Sequence, residues 1–427
     1  MPNRQRRCSR IQRAMWLVLA LTLARPVLGK GRQANQVRLK SVFSLGDNDV
    51  WKLHPWGAWL NSFDISPDGK TFAAEFEALQ EEQKAAIWVG EWDMTAGRLI
   101  AEQRVEGPLS FKQLFPSPPS RAQYGFDLRF TPDGRRLVAL TGPRIRVLDA
   151  EKLELLYSIS PGEIYPAPPE GVVIRQYLVS RDSELLAVFS TPGIYLRTPI
   201  NVRLLSLGSG EKVAEYTLPV SGSADFSLSP DASMVLMSQW RFQQPEAQYV
   251  LVVDSRTGES LRSINSGFGT RGGNYGAYAE FLDNDRIVVA SRSSSGAPHH
   301  ALKIIDGHTG RVLQELGYSK HDAQAWFVVA TRAPVIAALI FSWKWGIGSD
   351  LDAPLQRGVN WLALFHPDQP EPFFVRHNVR LFEHPHSTSL RATMRISSDG
   401  KVVAFGESEA IQVYRVEPTA KPKMKSR

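Results

Sequence analysis

The chain has 427 residues, 43% hydrophobic and 22% charged, a balance that excludes a disordered polymer and suffices for a large core. Its formal charge of +7 is concentrated at the front: residues 1–29 hold six Arg and no acid, so the 50 basic residues fall to 44 against 43 acidic ones beyond them. A net of +1 removes the charge argument for nucleic acid, and no nucleic-acid partner is expected.

In chain order, the first feature is a leader. Arg4, Arg6, Arg7, Arg10 and Arg13 precede an apolar run from Ala14 to Ala24, and Val27 and Gly29 offer a cleavage site before Lys30. The run is short against the roughly 20 residues of a membrane span. A signal peptide over 1–29 is therefore expected, giving a secreted or periplasmic chain without stable membrane insertion. Cys8 is the only cysteine and precedes the apolar run, so the exported part would hold no disulfide, no catalytic thiol and no lipid anchor.

The next element is a strand from Val37 to Phe43. A hairpin pattern then recurs: an apolar run, a turn built from Pro, Asp and Gly, and a second apolar run. It appears as Ser66-Pro67-Asp68-Gly69, Thr131-Pro132-Asp133-Gly134 and Ser397-Ser398-Asp399-Gly400. Degenerate copies start at Ser180, Ser229 and Leu282, and a seventh at Ala330 is read from its flanking apolar runs. Pro presets φ, Asp bonds its own backbone and Gly accepts positive φ, so these residues suit a tight turn. The anchors are spaced by 65, 49, 49, 53, 48 and 67 residues. Seven copies at that period predict a propeller.

About twenty residues after several anchors an apolar strand ends in Asp and a Gly-containing turn follows, as in Asp254-Ser255-Arg256-Thr257-Gly258 and Asp306-Gly307-His308-Thr309-Gly310. Each repeat thus supplies four antiparallel strands, a to d. In the fifth these are expected near Tyr278 to Leu282, Arg286 to Ser291, Leu302 to Asp306 and Val312 to Leu316. After the last anchor there is room for three strands only, so Val37 to Phe43 is expected to supply the fourth and close the ring. The predicted fold is an all-β, seven-bladed β-propeller over 30–417, followed by a basic tail, 418–427, with Lys421, Lys423, Lys425 and Arg427.

On these hairpins and Asp-x-x-Thr-Gly turns the chain resembles the WD-repeat-like and YVTN-type propellers across nearly all of the region after the leader. The quinoprotein variant of the repeat would place Trp where this chain has Arg262 and Gln314, so no quinone and no other cofactor is expected.

In such a blade the a–b and c–d turns share one face, and the b–c and d–a connections share the other. The long insertions are all of the second kind: Ser44 to Leu60, Glu77 to Lys84, Glu106 to Gln123, Ser160 to Val173, Thr191 to Pro199, Trp240 to Ala247, Ser266 to Tyr275, Ser342 to Gly358 and His377 to Leu390. Loops on a rigid scaffold concentrate binding residues, so this decorated face is the candidate site. It carries Trp51, Trp56, Trp59, Arg197, Trp240, Arg241, Arg271, Tyr275, Trp343, Trp345 and Arg380, types that stack on rings and pair with carboxylates. The same tryptophans also serve to pack loops onto a rim. The Glu77 to Lys84 segment is read as one or two exposed helical turns.

No Gly-x-Ser-x-Gly elbow is present, and the glycines of 267–273 lack the Gly-Lys-Ser/Thr ending of a phosphate loop. His384 and His386 are a weak candidate metal pair with Glu383 or Asp350. The expected function is a monomeric, non-catalytic binding or scaffolding propeller for a protein or glycan. The alternative is a hydrolase or lyase with a metal or acid–base site at the channel mouth.

Overall fold

The computed structural model describes residues 37–54, 57–80, 84–110, 126–142, 144–160, 172–192, 199–221, 224–239, 249–265, 277–291, 300–318, 323–342, 359–377, 379, 394–407 and 410–419. Seven four-stranded antiparallel sheets form a ring. Blade 1 comprises Ala58–Ile65, Thr71–Leu79, Lys84–Asp93 and Arg98–Ser110. Blade 5, with Ala277–Phe281, Arg286–Ser291, His300–Asp306 and Val312–Tyr318, lies within two residues of the expected bounds throughout.

Blade 7 is the closure. Its strands a to c come from Met394–Ile396, Val402–Glu407 and Ala410–Pro418, and its outer strand is Val37–Gly46 from the other end of the chain. That strand pairs from Val37 with Pro418 to Gly46 with Ala410, absorbing one bulge between Ser41 and Phe43. It runs three residues further than the apolar pattern predicts, because its last residues still meet backbone partners on Ala410–Pro418.

Each interface between adjacent blades has its own apolar core, which is how a ring of thin sheets buries both faces of every sheet. Between blades 7 and 1, Phe43, Phe72, Phe76 and Val413 pack together. Between blades 1 and 2 the filling is Ala73, Val89, Leu128, Leu137 and Leu148. Alternation in the strands makes this possible, successive side chains going to the cores on either side.

The repeat turns fold for local reasons. Ser66 Oγ donates to Asp68 Oδ1 at 2.7 Å and accepts the Thr71 N–H at 2.9 Å, and the same arrangement recurs at Ser180, Ser229 and Ser397. The degenerate copies at Ser180 and Ser229 keep this Ser-x-Asp pair. Ser183 and Ala232 consequently adopt φ of 63° and 58°, where the better copies place glycine. At the c–d turns, Oδ1 of Asp93, Asp149, Asp254 and Asp306 accepts the two N–H groups two and three residues on.

Those c–d turns also touch the preceding blade. Gly258 has φ +72°, and a Cβ there would overlap the ring of Tyr216 on blade 3, whereas Gly97, with φ +64°, has nothing within 4 Å. Gly97→Ala should cost about 1 kcal/mol for the left-handed backbone alone, and Gly258→Ala roughly 2 kcal/mol or more once Tyr216 has to move. Urea titration of both variants isolates the inter-blade contribution as their difference.

The connections depart from expectation in blade 1. The described part of the Glu77 to Lys84 segment is strand rather than exposed helical turn: strand b continues to Leu79, strand c starts at Lys84, and Glu77 is buried, while 81–83 lie outside the described residues. Its acidic run reads as surface locally, but Glu77 pairs in the sheet opposite Trp59 and Ile87. The Ser44 to Leu60 insertion is also shorter than expected and contains a helix, α1 (Asp47–Leu53), whose Asp49 accepts the Gly46 N–H. Among the described residues no helix is long and apolar enough to cross a membrane.

Candidate functional site

Strand a of every blade faces the axis, so its inner edge has no backbone neighbour and its polar groups need other partners. Side chains supply them from blade to blade. Ser62 Oγ accepts the Leu128 N–H, Asp64 Oδ2 accepts that of Phe130 at 2.8 Å, and Ser227 Oγ accepts that of Phe281. Gln176 does both at once, donating to the Phe226 carbonyl and accepting its N–H.

Two residues before each turn anchor stand Asp64, Arg129, Leu178, Ser227, Glu280, Val328 and Arg395, and all seven line a central cavity of about 190 Å³. Its charges are matched internally. Arg395 of blade 7 donates to Asp127 of blade 2 at 2.6 Å and lies 3.6 Å from Asp64 of blade 1. Arg129 donates to the other Asp127 oxygen at 2.9 Å and sits over the Tyr177 ring. Burial pushes the Asp64 carboxyl up to about 6, against the pull of Arg395. On the turn face two arginines reach across blades, Arg181 to the Leu282 carbonyl and Arg332 to that of Pro132.

The cavity is smaller than the roughly 300–1,000 Å³ of ordinary small-molecule sites, and its acids are already engaged. Water, or an ion of similar size, suits it better than a sugar or peptide.

Of the residues picked out by sequence, Trp51 is described, and so is Trp59. It lies in strand a of blade 1 rather than in a loop, half-buried, edge-on to the Trp51 ring at 6.5 Å. Trp51 projects from α1, 46% exposed, with its indole N–H donating to the Ala58 carbonyl. Beside them His54 meets Glu102 at 2.5 Å and lies tilted against the rings of Phe76 and Trp88. The helix therefore presents Trp51 and Leu53 at the blade 7–blade 1 junction of the decorated face. Trp56, Arg197, Trp240, Arg241, Arg271, Tyr275, Trp343, Trp345, Arg380, His384 and His386 lie outside the described residues. Among the described residues no group of three or more His, Cys, Asp or Glu is placed to hold a metal ion.

The channel cluster was not picked out by sequence. Its signal was a polar residue recurring two places before the turn anchor in strands otherwise apolar, as in Phe63-Asp64-Ile65 and Met394-Arg395-Ile396.

This geometry defines a WD-repeat-like β-propeller. The Raptor protein of Chaetomium thermophilum is similar in structure, with a TM-score of 0.54 at 10% identity over 93% of this chain. The chain corresponds to 31% of that protein's length. At this identity the likeness is one of fold, and 1036 chains of solved structures share it, so it selects no activity. No family model and no curated protein matches the sequence.

Proposed function

We propose that the chain is an exported, non-catalytic propeller of the YVTN type that acts as a monomer and holds a protein or glycan on its decorated face. The observation that carries this reading is the one-sidedness of the connections. The a–b turns span residues such as 66–70 and 229–233, while the longest connections, 343–358 and 378–393, leave from the opposite ends of their strands. A rigid ring carrying its variable segments on one face is the arrangement of a binding scaffold. The internal pairing of Asp64, Asp127, Arg129 and Arg395 supports a structural role for the channel over the hydrolase or lyase alternative. Residues 1–29 direct export, placing the propeller in the periplasm or outside the cell.

The test is alanine at both Trp343 and Trp345. Capture of partners by the tagged protein, and its binding to a glycan array, should be lost while the thermal midpoint stays within a few degrees. Unchanged capture would count against this face. Recovery of the purified protein from the cytoplasm with residues 1–29 intact would count against export.

A further inference from the structure

The turn face, opposite the decorated one, carries a radial groove of about 460 Å³ between blades 1 and 2. It runs from the channel mouth at Pro67 and Arg332 to Ile100 on the outer strand, which is 55% exposed. At its floor lies Glu91, on strand c of blade 1 between Ala73 and Ala101, 6% exposed and capping the apolar filling of that interface. Among the described residues its carboxylate has neither a hydrogen bond nor an ion pair.

A carboxylate left without a partner in apolar surroundings is a costly feature unless something outside the chain completes it. Burial first, and then the charge of Asp149, push the Glu91 carboxyl up to about 7, an unfavourable state that an entering cation relieves. The rim carries further acids, of which Asp68 is paired with Lys70 at 3.1 Å. Asp68, Asp133 and Glu151 line it, and Arg332 is the one cation among the lining residues. Its guanidinium is turned to the Pro132 carbonyl.

We propose that this groove seats a lysine or arginine side chain from an extended basic segment of a partner protein, with Glu91 as its counter-ion. The volume is within the usual range for a bound group, and the acidic lining repels nucleic-acid phosphates. Ile100 and Pro67 offer apolar landings for the residues on either side of the cation. The groove is on the face opposite the strand ends, Ser342 and Val359, that bound 343–358, so it stands independently of the assignment made above.

The experiment is fluorescence anisotropy of labelled hexalysine with the full chain at about pH 8 and physiological salt, with hexaglutamate as control. Hexalysine should bind and hexaglutamate should not. Glu91→Gln should weaken binding by about tenfold or more while leaving the fold intact. Glu259→Gln, on an exposed turn of blade 4, and alanine at Trp343 and Trp345 should leave it unchanged. Absence of hexalysine binding, or equal affinity in Glu91→Gln, would overturn the proposal. So would several-fold tighter binding when Lys421, Lys423 and Lys425 are all replaced by Gln, since the chain's own basic end would then be the occupant.

Discussion

Alanine at Arg395 is expected to lower the unfolding free energy by about 3–5 kcal/mol at neutral pH, read as a lower urea midpoint at constant slope. Arg395 is 9% exposed and joins three blades, belonging to blade 7 and meeting Asp64 of blade 1 and Asp127 of blade 2. Its loss leaves the buried Asp64 and the half-buried Asp127 sharing Arg129. The deficit should depend on pH with a defined sign. Asp64 already titrates near 6 against an ordinary 3.8, so the folded state holds its proton longer than the unfolded one and stability falls as pH rises through that window. Removing the opposing cation raises this carboxyl further, so the deficit should be larger at about pH 7 than at about pH 5. Combining Arg395→Met with Asp64→Asn should recover most of the loss, since Asp127 then keeps Arg129 as its partner and no charge is stranded. Failure of the double variant to recover would mean that Arg395 acts through packing over Phe63 rather than through charge.

The contrast between Arg395 and the turns shows why the fold was legible in the sequence and the channel was not. A Ser-x-Asp pair closes its hairpin through partners two to five residues away, so Ser66 and Ser397 announce their structure locally. Even Ser180 and Ser229 remain readable after their glycine has gone. Blade 6 has no acid after Thr331, and its turn was recognisable only from the apolar runs beside it. Arg395 and Asp127, by contrast, are 268 residues apart, and nothing in either segment names the other. Their meeting follows from ring closure by Val37–Gly46, a consequence of the whole topology. The decorated face is legible in a third way. Connection lengths give its side of the ring, while Trp59 shows that membership of a predicted loop does not place a side chain, since its strand begins at Ala58. Glu91 escaped notice because its neighbours Trp92 and Asp93 dominate the local pattern, and its isolation is a property of two blades together.

The same interface between blades 1 and 2 contains a second carboxylate whose removal should stabilise the protein. Glu75 is fully buried, accepts a hydrogen bond from the Thr141 hydroxyl, and has its other oxygen unpartnered among the described residues. Burial pushes its carboxyl up to about 8, although Thr141 and the charge of Arg146 pull the other way. Arg146 is itself committed to Glu106 of blade 1. At neutral pH Glu75 is therefore protonated in the folded chain and ionised in the unfolded one. The unfolded state binds fewer protons between the ordinary 4.5 and about 8, so stability should fall across that window by up to roughly 1.4 kcal/mol per pH unit from this group. Gln supplies a neutral group of the same shape and still accepts from Thr141, at the cost of one amide left without an acceptor. Glu75→Gln should thus be more stable than the parent by about 1–3 kcal/mol near pH 8, with the advantage vanishing or reversing near pH 4.5. Asp64 and Glu91 add to the parent's own slope, so the informative quantity is the difference between the two chains at each pH, in which those contributions cancel. Parallel stability curves from about pH 5 to 8 would show that Glu75 stays ionised in the fold, and would make the Arg146 guanidinium, rather than a proton, the group that neutralises it.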